Sequence, residues 1–257
     1  MFVKYDAGVS ATTGRTRPDN PRTRPAKAPL SREAVIAAAL ALVDEVGYPA
    51  VTMRRVAQAL DTGPASLYVY VADRDELMSE VYDLALGQVE LPGEADGDWR
   101  ARLELLVGRV ITVLGGHDDI ALVALTSVQT GRHALRVSEE ILRLLREGGV
   151  PDATCVWAAD LMDQYVTSSA LERAGWLRAQ RSLEGSGSAD STADAMARAA
   201  GAELDAALGS LPADEYPTIH ALRGSMTTAG DSDTRAAWKL RVIIDGLLAQ
   251  HERPRDR

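Results

Sequence analysis

The chain has a single cysteine and a single phenylalanine among 257 residues. One thiol, Cys155, excludes an intramolecular disulfide framework and fits a reducing compartment. The scarcity of Phe, in a chain that is 46% hydrophobic and rich in Ala and Leu, favours an all-α fold over a sheet protein. No apolar run reaches the roughly 18 residues of a membrane span, and the N-terminus lacks the apolar core of a signal peptide, so a cytoplasmic location is expected. G-x-x-x-x-G-K-[ST], G-x-S-x-G, H-E-x-x-H and G-x-G-x-x-G are all missing. Those absences argue against an enzyme and against a bound cofactor. His117, His133, His220 and His251 are scattered, and none has a second His four residues on. His117-Asp118-Asp119 therefore reads as a turn with capping carboxylates rather than a metal cluster. Cys155 lies near a helix start, where a thiolate is favoured, but with no His nearby it reads as a buried structural thiol.

Positive charge is also in short supply, since the net charge is −9. What there is gathers at one end. Residues 1–29 carry Lys4, Arg15, Arg17, Arg22, Arg24 and Lys27 against Asp6 and Asp19, in a stretch rich in Pro, Thr and Gly with no apolar periodicity. A disordered basic arm on an acidic body is expected. Its two R-T-R-P segments place an Arg at every second position of a chain kept extended by Pro18 and Pro25, a form that fits a narrow minor groove. The alternative is a passive leader.

The most informative stretch is Thr52–Val71, TMRRVAQALDTGPASLYVYV. Thr52 is a good N-cap, and Met53, Val56, Ala57 and Leu60 follow at helical spacing. Asp61-Thr62-Gly63 breaks that helix and Pro64 restarts one, with Leu67 and Val71 as inward anchors. Two short helices joined by a tight turn describe a helix-turn-helix. In that reading Arg54 reaches a guanine edge. Ala65 and Ser66 let the second helix sit deep in the major groove. Thr52, Tyr68, Tyr70 and Arg74 donate to phosphates, and Arg55 completes the cluster.

At these residues the segment resembles the DNA-binding domain of TetR-family transcriptional repressors, with Thr52, Arg54, Val56, Ala57, Leu60, Leu67, Tyr68 and Tyr70 at matching places over about Leu30–Leu84. Asp61 stands where the family usually has Gly. The position often needs φ > 0, which Asp tolerates better than most residues. The resemblance implies a repressor that binds double-stranded operator DNA as a homodimer and is released by a small-molecule effector.

Ser31 caps the first helix, with a stripe of Val35, Ala38, Ala39, Leu42, Val43 and Val46 that stops at Gly47. Asp73 with Glu76 forms a capping box for a helix through Leu77, Val81, Leu84 and Ala85. A helix-turn-helix domain over 30–76 and a larger helical domain over 77–257 are expected. In the latter, Leu103, Leu106, Val107, Val110, Ile111 and Leu114 make a stripe. A long helix over Ala153–Arg181 carries Trp157, Leu161, Tyr165 and Ser168 on one face and Ala158, Met162, Val166 and Ala170 beside it. Two non-polar faces call for burial on both. Residues 182–193 read as a loop, 195–208 as a helix, 214–222 as an irregular piece between Pro212 and Pro217, and 233–250 as the last helix. The order DEYPTIHAL then a terminal helix also looks like the ligand-binding half of the tetracycline repressors.

Helices 153–181 and 233–250 carry more apolar surface than one subunit's core uses, so they are expected to pair across a two-fold axis. Leu106, Val110, Trp157, Leu161, Gln164, Tyr165 and Ser168 are the candidate ligand residues. Around Leu106, Val110 and Ile141 the chain is apolar where, by the resemblance, tetracycline repressors place polar contacts. A largely apolar, ring-containing effector other than tetracycline is therefore expected. The competing class is a small-molecule-binding helical protein or enzyme with no DNA role, which sequence-specific, salt-dependent DNA binding separates from a regulator.

Overall fold

Helix α1 (Arg32–Val46) begins where Ser31 Oγ accepts the Ala34 N–H at 3.1 Å, and its Val35, Ala39 and Val43 are fully buried. The computed structural model describes residues 29–185, 193–227 and 232–252, and all regular elements among them are helical. The basic arm, with Arg15, Arg17, Arg22 and Arg24, and the centre of the expected loop at 186–192 lie outside the described residues.

Gly47 ends α1 with φ +82°, and a Cβ there would meet the Asp118 carboxylate at 2.6 Å, so the position needs glycine on both counts. Helix α2 (Met53–Ala59) is capped by Thr52 Oγ1, which accepts from the Arg55 N–H. Asp61 adopts φ +51° at the turn, the left-handed conformation anticipated for it. Pro64 opens α3 (Pro64–Leu67), and Leu67 and Val71 anchor it in the core.

Helix α4 (Arg74–Leu86) starts at Asp73, whose Oδ1 accepts the Glu76 N–H at 2.8 Å. Glu76 reaches back to the Ala72 N–H at 2.6 Å rather than to that of Asp73, a capping box displaced by one residue. Helix α4 packs on α1 at one end and on the larger domain at the other, so the boundary expected between residues 76 and 77 falls within a continuous helix.

The larger domain is built round α5 (Trp99–Gly116), whose anticipated stripe from Leu103 to Leu114 is buried. After α6 (Val123–Thr126) come α7 (Arg132–Glu147) and α8 (Asp152–Gly185). Helix α8 has 34 residues, a length of roughly 50 Å at 1.5 Å per residue. Helices α9 (Ala193–Gly209) and α10 (Pro217–Thr227) pack on each other, and α11 (Ser232–Glu252) returns to α8 and α5.

Several expectations are corrected. Of residues 214–222 only 214–216 form an irregular turn: Pro217 takes the first position of α10, where a missing N–H costs nothing, and the rest is helical. Within the single chain, helix α8 is buried on one face only. Ala158, Met162, Val166 and Ala170 are in the core, but Trp157 is 76% exposed and Val156 and Leu161 are exposed beside it. On α11, Leu240, Ile244 and Leu247 are buried, while Trp238 is 61% exposed and Val242 is exposed.

The carboxylates of the His117 turn do not cap a helix. Asp118 and Asp119 both pair with Arg178 of α8, and His117 Nδ1 lies 2.7 Å from Asp44 of α1. Among the described residues no cluster of His, Cys, Asp and Glu is arranged to hold a metal, and no helix is long and apolar enough to cross a membrane. Cys155 is buried, donates to the Val150 carbonyl at 3.3 Å, and burial pushes its thiol pKa up.

Candidate nucleic-acid interface and ligand cavity

The α2–α3 unit turns short helices outward because Leu67 and Val71 hold its inner side. Thr52, Arg54, Ala65 and Tyr68 are exposed, and Ser66 is half-buried. Arg54 and Gln58 of α2 face Thr62, Gly63 and Pro64 across a shallow groove. Arg55 is exposed and donates through Nη1 to the Ala50 carbonyl at 3.1 Å. Val69, which no sequence pattern singles out, is 79% exposed beside Tyr68. An exposed apolar side chain in the turn that follows a reading helix suits a thymine methyl group.

Arg74 and Tyr70 differ from expectation. The guanidinium of Arg74 donates through Nε to the Val51 carbonyl at 2.8 Å and through Nη2 to the Tyr48 carbonyl at 2.9 Å, and stacks 4.8 Å from the Tyr48 ring centroid. It braces the segment between α1 and α2 instead of standing free for phosphate. Tyr70 is half-buried, and its carbonyl accepts from Arg32 Nη1 at 2.9 Å. Arg32 also grips Glu76 and Glu80 of α4 at 2.9 and 2.8 Å. Those paired carboxylates raise the arginine's pKa, and the Ala72 N–H with Arg32 lowers that of Glu76. The reading unit is thus clamped to the first turns of α4.

The far end of α4 lines a cavity of about 240 Å³. Tyr82 and Leu86 of α4, Val110 of α5, Gln129, Ala134, Val137, Ser138 and Ile141 at α7, and Ala159, Asp160, Asp163 and Val166 of α8 enclose it. Between Tyr82 and α7 stands the buried carboxylate of Asp83, whose Oδ1 accepts the His133 and Ala134 N–H groups at 2.9 Å each. It caps the N-terminus of α7, where backbone donors have no helical partner. A Cβ on Gly131 would lie 2.2 Å from that carboxyl group, so glycine is required for the approach.

A second, wider hollow of about 510 Å³ lies on the other side of α5, lined by Glu104, Leu105, Arg109, Ile111, Tyr165 and Leu240 among others. It includes the end of the segment after α4 but no residue of α4 itself.

The candidate ligand residues do not converge. Val110 lines the smaller cavity and Tyr165 the larger hollow, where its hydroxyl donates to the Ala236 carbonyl at 2.5 Å. Leu106 is sealed in the core, and Trp157 and Leu161 lie on the exposed face of α8. Gln164 and Ser168 are exposed, bonded to Asp160 and to the Tyr165 carbonyl. Periodicity places them on one helix without revealing which face the remaining helices cover. Tyr82, Asp160 and Asp163 carry no signal in the sequence, because only the packing of α4 against α8 brings them together.

Such a fold and site define a helix-turn-helix DNA-binding protein whose larger domain is a helical bundle joined to the reading unit by one shared helix. Comparison with known proteins agrees. Residues 35–81 match the family model of bacterial regulatory proteins, tetR family, and residues 91–251 match that of the tetracyclin repressor-like, C-terminal domain. The HTH-type transcriptional repressor DrrR1 of Streptomyces coeruleorubidus is 32% identical over 232 residues, 87% of this chain and 80% of its own. The crystal structure of the TetR family protein ActR of Streptomyces coelicolor in complex with actinorhodin superposes with a TM-score of 0.72 at 34% identity, covering 87% of this chain and 97% of that one. The complex of ActR with (S)-DNPA gives 0.71 at 34% identity, over 87% and 99%. The chain belongs to the tetR family and is a DNA-binding transcriptional regulator.

Proposed function

We propose that the protein is a homodimeric repressor that binds a palindromic operator through α2 and α3 and is released by a small molecule held in the cavity between α4, α5, α7 and α8. The observation that carries this reading is the double engagement of α4. Glu76 and Glu80 hold the reading unit through Arg32, while Tyr82 and Leu86 line the cavity and Asp83 caps α7. Glu80 and Tyr82 are neighbours on one rigid helix, so a ligand that shifts the cavity end of α4 turns the reading unit with it. The effector acts only through its differential affinity for the two arrangements; taking a 99:1 population to 1:99 needs about 10⁴-fold preference.

The smaller cavity is preferred to the wider hollow because, of the two, only it touches α4. Its lining is largely apolar, in keeping with a ring-containing ligand, and the ligand-bound ActR structures supply a precedent among relatives. Val110 stays in the ligand set.

Trp157 and Leu161 are assigned instead to the subunit interface. With Val156, Trp238 and Val242 they form the exposed apolar faces of α8 and α11, and pairing these across a two-fold axis buries them in a four-helix bundle. Arg54, Ser66, Ala65 and Tyr68 face DNA, with Thr52 and Arg55 at the edge.

Selection of bound duplexes from a random library tests the reading. A palindrome with half-sites about one helical turn apart or a multiple of it, bound by two chains, is expected. Recovery of no shared sequence would defeat it. In sedimentation, Trp157→Glu should turn a dimer into a monomer.

A further inference from the structure

We infer that the ligand of the α4–α8 cavity is a compact, ring-containing organic cation, whose protonated amine is received by Asp163 with Asp160 beside it while the Tyr82 hydroxyl takes a second polar group. The inference rests on the reading of that cavity as the effector site and adds the chemistry it selects.

The charge of the lining is one-sided. Asp160 and Asp163 of α8 are its ionisable carboxylates, and none of the residues lining it is Lys, Arg or His. Three residues apart on a helix, the two side chains lie on one face. Asp160 accepts from Gln164 at 3.0 Å, but no described residue donates to Asp163, and among the described residues no cation pairs with either. Both carboxylates reach solvent at the cavity mouth; partial desolvation and the neighbouring Asp160 charge push the Asp163 carboxyl pKa up.

A second, independent feature points into the same space. Tyr82 is 3% exposed, and among the described residues its hydroxyl has no hydrogen-bond partner. It is not one of the sealed, unsatisfied polar atoms of the core, so the cavity it lines is the open side of its hydroxyl. Burial, then the charges of Asp163 and Asp83, push its pKa well above the ordinary tyrosine value, which keeps the proton on the oxygen. A buried phenol is normally bonded; here the missing partner is supplied by a ligand.

An anionic ligand would meet two carboxylates and no donor of positive charge. A neutral one would satisfy Tyr82, Gln129 or Ser138 and leave Asp163 paired with water alone. A cation pairs with Asp163 at the mouth and lets its ring lie among apolar side chains. At about 240 Å³ the space is below the about 300–1,000 Å³ usual for drug-sized ligands, so one or two rings fill it.

Full-length protein titrated calorimetrically at pH 7 with 2-naphthylmethylamine, 2-naphthylmethanol and 2-naphthoate tests this, because the three probes share one ring system and differ in charge. The amine is expected to bind about tenfold tighter than the alcohol or better, and the carboxylate weakest. Asp163→Asn should bring the amine-to-alcohol ratio near one, and Asp163→Glu should keep most of it. Equal binding of amine and alcohol, or an unchanged ratio in Asp163→Asn, overturns the inference and leaves the cavity reading standing. Val137→Trp, which fills the cavity, separates the two claims: binding of no probe by the parent protein, or binding that Val137→Trp does not weaken, overturns both.

Discussion

Arg74→Ala removes the brace between α4 and the segment joining α1 to α2. Two guanidinium hydrogen bonds disappear, to the carbonyls of Val51 and Tyr48, together with the stacking on Tyr48. A hydrogen bond to a charged group contributes about 1.5–3 kcal/mol and a cation–π contact about 0.5–1 kcal/mol. The side chain keeps 31% of its surface in water, so the low end applies and the total is about 3.5 kcal/mol. For a chain of this size each kcal/mol shifts Tm by about 2–4 °C, which gives a drop of about 7–14 °C in a calorimetric scan at fixed protein concentration. Arg74→Lys keeps the charge but loses the planar fork and should recover less than half. A phosphate contact would behave differently, leaving Tm unchanged and lowering the log–log salt slope of operator binding by about one. That pattern would refute the bracing role.

Arg54→Ala should cost roughly 1–3 kcal/mol in operator binding and relax specificity at one base pair per half-site, while Tyr68→Phe weakens all sequences alike; equal losses across sequences in both variants would reduce Arg54 to a phosphate contact. For Glu172, burial raises the carboxyl pKa, but Arg235 and Lys239 of α11 outweigh it and hold the pKa below 4.5. A depressed carboxylate stabilises the fold fully above its unfolded value and loses that contribution as pH falls through the folded one. Urea titrations should therefore show the α8–α11 contact weakening below about pH 4.5, with a smaller pH dependence in Glu172→Gln. Deletion of residues 1–25 should weaken operator binding and flatten its salt dependence by about one unit of slope for each phosphate the arm neutralises; an unchanged slope would mark the arm as a passive leader.

Local chemistry is the legible part of this chain. Ser31, Thr52, Pro64 and Asp73 each open the helix expected of them, because a cap depends on neighbours within four residues. Asp61 takes φ > 0 for the same local reason. Features set by distant packing are not legible. Helical periodicity identifies two apolar faces on α8 but cannot say that the chain itself covers only the one with Ala158 and Met162. The cavity draws one or a few residues from each of four helices, and neither Tyr82 nor Asp163 belongs to any local pattern. Arg74 carries the charge of a phosphate donor, and only the fold places two backbone carbonyls within its reach. Pro217 suits the edge of an irregular piece and the start of a helix equally well, and the packing of α10 on α9 decides for the helix.

The central claim is that one helix couples the cavity to the reading unit. Its most direct test is displacement of the protein from its selected operator, followed by fluorescence anisotropy, with ring-containing small molecules added to the parent protein and to Val137→Trp. Val137 is buried in the cavity lining, far in sequence from α2 and α3. Compounds that release the parent protein from the operator should fail to release Val137→Trp, which still binds the duplex. Equal release of both proteins would contradict the account, because the effector would then act from somewhere other than the cavity that α4 lines.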